Sequence, residues 1–223
     1  GEAKFANIVD ACLKNEFIPS KVKLSKPAGA CFIEPDTDRC VIDTVPRLSN
    51  LDDIPSPYQT GLLDEFLADP MYCPIIETNR GCPYVCTFCQ WGELGKSDMV
   101  IFSQERVVGD LEYIVKNNTS KSSYLYIADA NFGFFPRDIE LARLLRNFKD
   151  TQDFPKNVYL YFAKNSTESV MRIAELLQDM TWFNLSRQTQ NPEVLKIIKR
   201  GNISLDTFTR LAALGKSLGV STF

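Results

Sequence analysis

Three cysteines fall within eight residues, Cys82-Pro83-Tyr84-Val85-Cys86-Thr87-Phe88-Cys89, in the spacing C-x3-C-x2-C. Thiolates that close can hold three irons of a cubane 4Fe–4S cluster. Ordinary electron-transfer clusters use four cysteines. No fourth follows here, so one iron would stay open to a non-protein ligand. Zinc is the rival ion. A structural zinc takes four ligands, usually as two C-x2-C or His pairs. This chain offers one such pair, Cys86/Cys89, and no histidine. Unliganded core thiols are the third possibility. A disulfide framework fits poorly, because seven cysteines is an odd count and the chain is too long to need staples. Cys73 is the nearest fourth thiol. It precedes an apolar run that reads as a strand, which puts it on the order of 20 Å behind the loop at about 3.3 Å per residue. Cys12, Cys31 and Cys40 read as buried free thiols.

The 223 residues allow one good core and a small appendage. A net charge of −3 gives no general reason to expect nucleic acid or an anionic membrane as partner. No apolar run approaches the length of a membrane span. Free thiols point to a reducing cytoplasm. The absence of histidine excludes Ser-His-Asp triads, Cys-His nucleophiles and any histidine-ligated metal within this segment.

The rest of the chain must position the cysteine loop. Residues 4–15 place Phe5, Ile8, Val9, Cys12 and Leu13 at helical spacing, an apolar face that must find cover on the rest of the chain or on another. A polar stretch with Pro19 and Pro27 follows. Residues 30–33 and 40–42 flank Pro35-Asp36-Thr37-Asp38 as a hairpin. The breaker-rich segment 51–57 reads as a linker. A short helix over roughly 61–68 leads to a strand over 74–79 that feeds the cysteines. Strand and helix then alternate. Ser103 caps a helix with Val107, Val108, Leu111, Ile114 and Val115 on one face. Strand 124–128 leads to a helix from Pro136. Strand 158–163 leads to a helix capped by Ser166. Strand 182–186 leads to a helix with Asn191 as cap and Pro192 at its first position. Helix 204–218 ends at Gly219, and a fifth strand begins at Val220. This alternation predicts a parallel sheet with right-handed crossovers. The visible strands cannot close a barrel, so the chain reads as a piece of a longer protein lacking material at both ends.

In parallel α/β folds chemistry collects at the carboxyl ends of the strands. Those ends carry Thr78-Asn79-Arg80-Gly81, Asp129-Ala130-Asn131-Phe132-Gly133, Lys164-Asn165 and Ser186-Arg187-Gln188-Thr189-Gln190. Each alone is ordinary turn or cap chemistry. Four converging above one cysteine loop form a stronger signal. Phe132, Phe134, Phe135, Tyr159, Tyr161 and Trp91 read first as core packing, and second as walls of a pocket that excludes water.

The cysteine run, with Thr78-Asn79-Arg80-Gly81 before it and Gln90-Trp91-Gly92 after it, resembles the cluster loop of radical SAM enzymes, which act on S-adenosylmethionine (SAM). The resemblance implies an α/β fold: a partial (β/α) barrel of parallel strands, truncated after about five, with a small amino-terminal helix and hairpin appendage. It implies that Cys82, Cys86 and Cys89 ligate a 4Fe–4S cluster whose open iron chelates SAM. Reductive cleavage would then give methionine and a 5′-deoxyadenosyl radical. Phe88 would lie near the adenine. Asp129 and Asn131 would replace the Gly-Gly-Glu-like turn that binds the SAM amino group in many members. Lys164 would neutralise the methionine carboxylate, and Ser186 and Gln188 would contact the ribose or carboxylate. Adenine contacts after the fifth strand lie beyond Phe223.

Asn79-Arg80-Gly81-Cys82-Pro83-Tyr84, Asp129-Ala130-Asn131-Phe132-Gly133, Lys164-Asn165-Ser166-Thr167 and Gln188-Thr189-Gln190-Asn191-Pro192 resemble radical SAM proteins with a cobalamin-binding domain ahead of the barrel. Gly1-Glu2 followed by Phe5-Ala6-Asn7-Ile8-Val9-Asp10 is similar to the end of such a domain. The resemblance thus implies residues 1–57 as the end of that domain plus a linker hairpin, and 58–223 as the radical SAM partial barrel, incomplete at its carboxyl end. It implies cobalamin in the full-length protein, a small-molecule or natural-product substrate, an electron donor such as flavodoxin or ferredoxin, and methylation of an unactivated carbon. A cobalamin-independent methylthiotransferase and a non-catalytic metal-bearing interaction module are the alternatives.

Overall fold

The computed structural model describes residues 1–34, 36–43, 48–90, 99–165, 167–182 and 187–219. The chain forms two compact units, Gly1–Ser49 and Asn50–Phe223.

In the first unit Glu2–Lys14 forms helix α1 and Pro19–Leu24 forms α2. Helix α2 falls in the polar stretch that carries Pro19 and Pro27. Pro19 at its first turn starts it, because the fixed φ of proline suits that position and the missing N–H costs nothing there. Cys31–Ile33 (β1) and Cys40–Ile42 (β2) pair antiparallel, with Phe32 opposite Val41. On α1, Phe5, Val9 and Leu13 stay exposed, and Ala11 is the buried residue of that helix. The cover expected for the apolar face is thus not supplied by the described residues. Cys31 and Cys40 are exposed and Cys12 is half-buried, contrary to the expectation of buried thiols. A two-stranded ribbon cannot bury both its faces by itself.

The second unit opens with a single 3-10 turn over Leu51–Asp53. The segment 51–57 is not a free linker. Leu51 lies in the hydrophobic core. The Asp52 carboxylate accepts from the Ser103 amide at 3.1 Å, and the Ser56 hydroxyl donates to Asp110. Proline and aspartate break regular structure here without breaking contact. Asp64–Leu67 (α3) follows.

The strand expected over 74–79 divides into two. Ile75–Ile76 (β3) joins the parallel sheet, and Asn79–Arg80 (β4) turns away to pair antiparallel with Val100–Ile101 (β5). Gln104–Asn117 (α4) starts at Ser103, whose hydroxyl accepts from the Arg106 amide at 3.1 Å. Tyr124–Ile127 (β6), Arg137–Gln152 (α5), Asn157–Tyr159 (β7) and Thr167–Leu176 (α6) continue the alternation. Pro192–Ile197 (α7) and Leu205–Ser217 (α8) complete it. The sheet order is β3-β6-β7, all parallel, with Ile75 beside Tyr126 and Leu125 beside Val158. The expected strand 182–186 falls largely, and the Ser166 cap and the strand from Val220 wholly, outside the described residues.

Alternation along the strands decides which face is the core. Leu125, Ile127 and Val158 point to the helices and are at most 1% exposed. They pack with Leu111, Ile114, Leu141, Leu145, Ile173 and Leu177 in one cluster. Burying each such side chain stabilises the fold by about 1.5–3 kcal/mol. Tyr124, Tyr126 and Tyr159 take the opposite face. There the Tyr124 and Tyr159 rings stack at 5.5 Å, and Tyr159 lies 4.6 Å from Trp182. Phe132 is fully buried, as core packing predicts, but Tyr161 is 51% exposed.

Leu145 is fully buried and Leu205 is 55% exposed. Leu145→Ala should cost about 2–5 kcal/mol in chemical denaturation, and Leu205→Ala no more than about 1 kcal/mol. Equal losses would mean that the core does not sit on the helix side of the sheet.

Candidate active site

Two neighbouring strand ends are tied together by one carboxylate. Asp129, two residues past β6, is 1% exposed. Its Oδ1 accepts from the Thr78 amide at 2.7 Å and the Asn79 amide at 3.3 Å. Its Oδ2 accepts from the Asn79 side-chain amide at 2.8 Å and from the Thr78 hydroxyl. This is why the chain leaves the sheet after Ile76 and starts toward the cysteines. The Arg137 guanidinium braces the same place by donating to the carbonyls of Thr78 and Phe102. Burial pushes the Asp129 carboxyl up to about 6, although the Thr78 hydroxyl and the Thr78 and Asn79 amides pull it down.

The turn after β6 is shaped by a second buried acid. Asp138 accepts from the Gly133 amide at 2.8 Å and the Phe135 amide at 3.1 Å. Burial raises its pKa, and those amides oppose the rise. Gly133 has φ +92, and a Cβ there would come within 3.1 Å of Ile173. The position therefore excludes a side chain on two counts. The turn carries Asn131, 1% exposed, whose Nδ2 donates to Cys82 Sγ at 3.4 Å. Its Oδ1 is buried without a partner among the described residues.

The cysteine loop begins at Gly81, with φ +114. Cys86 is buried, and Cys82 and Cys89 are half-buried. The Cys89 amide donates to the Cys86 carbonyl at 3.1 Å, and the Thr87 amide to the Ile198 carbonyl at 3.1 Å. The second bond fastens the loop to the end of α7. That end is a left-handed turn. Lys199 has φ +51, and the Arg200 amide reaches back to the Leu195 carbonyl at 3.0 Å. The turn sends Arg200 inward. It is 6% exposed, and its Nη1 donates to Cys86 Sγ at 3.7 Å.

Lys164 stands in the same field. Burial and the Arg200 charge push its pKa below the usual ammonium range, and the thiols of Cys82, Cys86 and Cys89 pull it back up. Tyr84 hydrogen-bonds Asn165, and burial is the main cause of its raised pKa. Two cations held close together repel unless negative charge lies between them.

Among the residues expected at the site, Cys82, Cys86, Cys89, Asn131 and Lys164 thus share one neighbourhood. Asp129 reaches it through Thr78 and Asn79. Phe88 is 54% exposed between the second and third cysteines, and Gln188 is exposed. Ser186 and Trp91 lie outside the described residues. Sequence reasoning missed Arg200, Arg137 and Tyr84. Arg200 follows a helix and reads as a solvated end, and nothing in its spacing points at Cys86. The one available signal was its place in the Lys199-Arg200-Gly201-Asn202 break after a strand-end helix.

A single-ion site gathers its ligands on one point. Among the described residues no three Cys, Asp or Glu side chains do so. A cubane asks for a different geometry, with each thiolate on its own iron.

Comparison with known protein families matches residues 76–223 to the family described as Radical SAM superfamily. The chain belongs to that superfamily. It is 36% identical over 183 residues to the cobalamin-dependent radical SAM methyltransferase TokK of Streptomyces tokunonensis, covering 78% of this chain and 26% of that protein. It is also 36% identical over 173 residues to the 2-(S-pantetheinyl)-carbapenam-3-carboxylate methyltransferase of Streptantibioticus cattleyicolor, covering 74% of this chain and 25% of that protein. The chain therefore spans about a quarter of the length of these curated relatives. Among solved structures it is similar to the cobalamin-dependent S-adenosylmethionine radical enzyme OxsB with aqua-cobalamin bound. The TM-score is 0.61 at 15% identity, covering 92% of this chain and 31% of that one, which shows a shared fold.

The donor set of this radical SAM chain fits a three-thiolate cluster. Three thiols lie on one loop, N–H donors reach two of the sulfurs, and two cations face them.

The Asp129 tie carries a pH signature. An unfolded aspartate titrates near the usual value of about 3.9. The folded carboxyl holds its proton up to about 6. Its stabilising share is complete below the unfolded pKa and is lost as pH rises through the folded one. Asp129→Asn cannot titrate. The stability of the variant relative to the parent should therefore shift in its favour by on the order of 3 kcal/mol between about pH 4 and about pH 7.5. A difference that stays flat over that window, followed by denaturation at each pH, would refute the raised pKa.

Proposed function

We propose that this chain is the catalytic core segment of a cobalamin-dependent radical SAM methyltransferase that methylates an unactivated carbon of a small molecule or natural product. The observation that carries the reading is the 36% identity to TokK across 183 residues. The thiol loop faced by Lys164 and Arg200 supports it from the side of the chemistry. In this reading Cys82, Cys86 and Cys89 hold the 4Fe–4S cluster. When bound, the cluster supplies one electron to the sulfonium of SAM. A flavodoxin or ferredoxin is the proposed donor of that electron, and the cytoplasm the proposed compartment.

The chain's own residues have positional tasks. Asn131 fixes Cys82 through Nδ2 and offers its unpartnered Oδ1 to the SAM ammonium. Asp129 holds Thr78 and Asn79, and through them the start of the loop. Lys164 is offered to the methionine carboxylate. Phe88, Ser186 and Gln188 remain the proposed adenine, ribose and carboxylate contacts. The sheet face lined by Tyr124, Tyr126, Tyr159 and Tyr161 is the proposed wall of a partial barrel incomplete in this segment. The amino-terminal helix and hairpin are proposed as the end of a preceding cobalamin-binding domain. No described helix is long and apolar enough to cross a membrane.

The test uses the full-length protein. Anaerobic reconstitution should give about four irons per chain, and alanine at Cys82, Cys86 or Cys89 should remove them. Cys73→Ala should leave the iron intact. Purified with cobalamin present, the protein should hold about one cobalt, as one cobalamin domain requires. Iron and SAM cleavage without cobalt would overturn methyl transfer in favour of the cobalamin-independent alternative. A chain that binds metal but cleaves no SAM would point to a non-catalytic module.

A further inference from the structure

We infer that Arg200 is a positioning residue for the cysteine loop that also raises the reduction potential of the cluster held there. The inference rests on the three-cysteine cluster of the proposed function.

The observation is a buried cation with unspent donors. Arg200 is 6% exposed, yet no carboxylate pairs with it among the described residues. One N–H, on Nη1, reaches Cys86 Sγ at 3.7 Å. Its Nε and Nη2 are buried and have no partner among the described residues. A guanidinium is always charged and carries five N–H donors. Burying one with donors idle is costly unless something satisfies them. Lys164 cannot, being a second cation, and its own pKa is depressed partly by Arg200. What the site lacks is a negatively charged acceptor beside Cys86. Cluster sulfur is such an acceptor, and the thiolate sulfur is already in contact.

The backbone is built to hold the side chain there. The left-handed Lys199 turn sends Arg200 inward, and the Thr87 amide to Ile198 carbonyl bond joins the same turn to the loop, at 3.1 Å. Loop and guanidinium therefore move as one piece. A fixed positive charge with N–H donors on a ligating sulfur favours the more negative, reduced form over the oxidised form. Adding one electron to a cluster already ringed by three thiolates is thereby made easier, and the cation does this without entering the reaction.

The experiment is a redox titration of the reconstituted full-length protein, followed by electron paramagnetic resonance, with iron content measured in parallel. Arg200→Gln should keep its iron and shift the midpoint potential lower. Arg200→Lys, which keeps the charge but loses the fork, should shift it less. Lys196→Gln removes an exposed charge of the same sign from α7 and should not shift it. A potential unchanged in Arg200→Gln with iron present would overturn the proposal. Loss of iron in both Arg200 variants, with the fold intact, would also overturn the potential-setting role and leave a purely structural one. Absence of iron from the parent protein would instead sink the functional reading on which the proposal rests.

Discussion

The site depends on a carboxylate that never meets solvent. Asp129 binds both the backbone and the side chains of Thr78 and Asn79, and so joins the ends of two adjacent parallel strands. It holds the chain at the point where it leaves β3 for the pairing of β4 with β5. The position of the cysteine loop follows from that point. Arg137 closes the arrangement from the other side by holding the Thr78 carbonyl. Burial disfavours the ionised acid, and four donors favour it. The balance leaves a carboxyl that is used for geometry and is not free for a ligand.

Beside the cysteine loop two cations stand together. Arg200 and Lys164 face the thiols of the loop, and Asn131 adds an amide donor. No acid among the described residues answers Arg200. A region of excess positive charge in low dielectric is stable only when an anionic group completes it. The cluster proposed for the three cysteines would supply such a group.

The second constraint is the division of the sheet into two faces. Leu125, Ile127 and Val158 commit one face to the helices. The other is left to tyrosines whose rings lean on one another and on Trp182. Tyrosine suits that surface, because its ring covers apolar strand while its hydroxyl stays polar.

By itself the sequence determined the family, most of the helices and the alternation of β and α, and it singled out the cysteine loop. These are local properties. Cysteine spacing, the Ser103 and Asn191 caps, and apolar period along α4 and α5 are all written within a few residues. The tertiary structure alone decided what surrounds the loop. Arg200 lies more than a hundred positions from Cys86, and Asp129 about fifty from Thr78. No local pattern records that such residues meet. Nor could period show that strand 74–79 breaks in two, because the cause is a hydrogen-bond partner on another strand. The segment 51–57 misled for the same reason. Its prolines correctly forbade regular structure, but whether a loop packs or swings free depends on what it touches, and Leu51 touches the core.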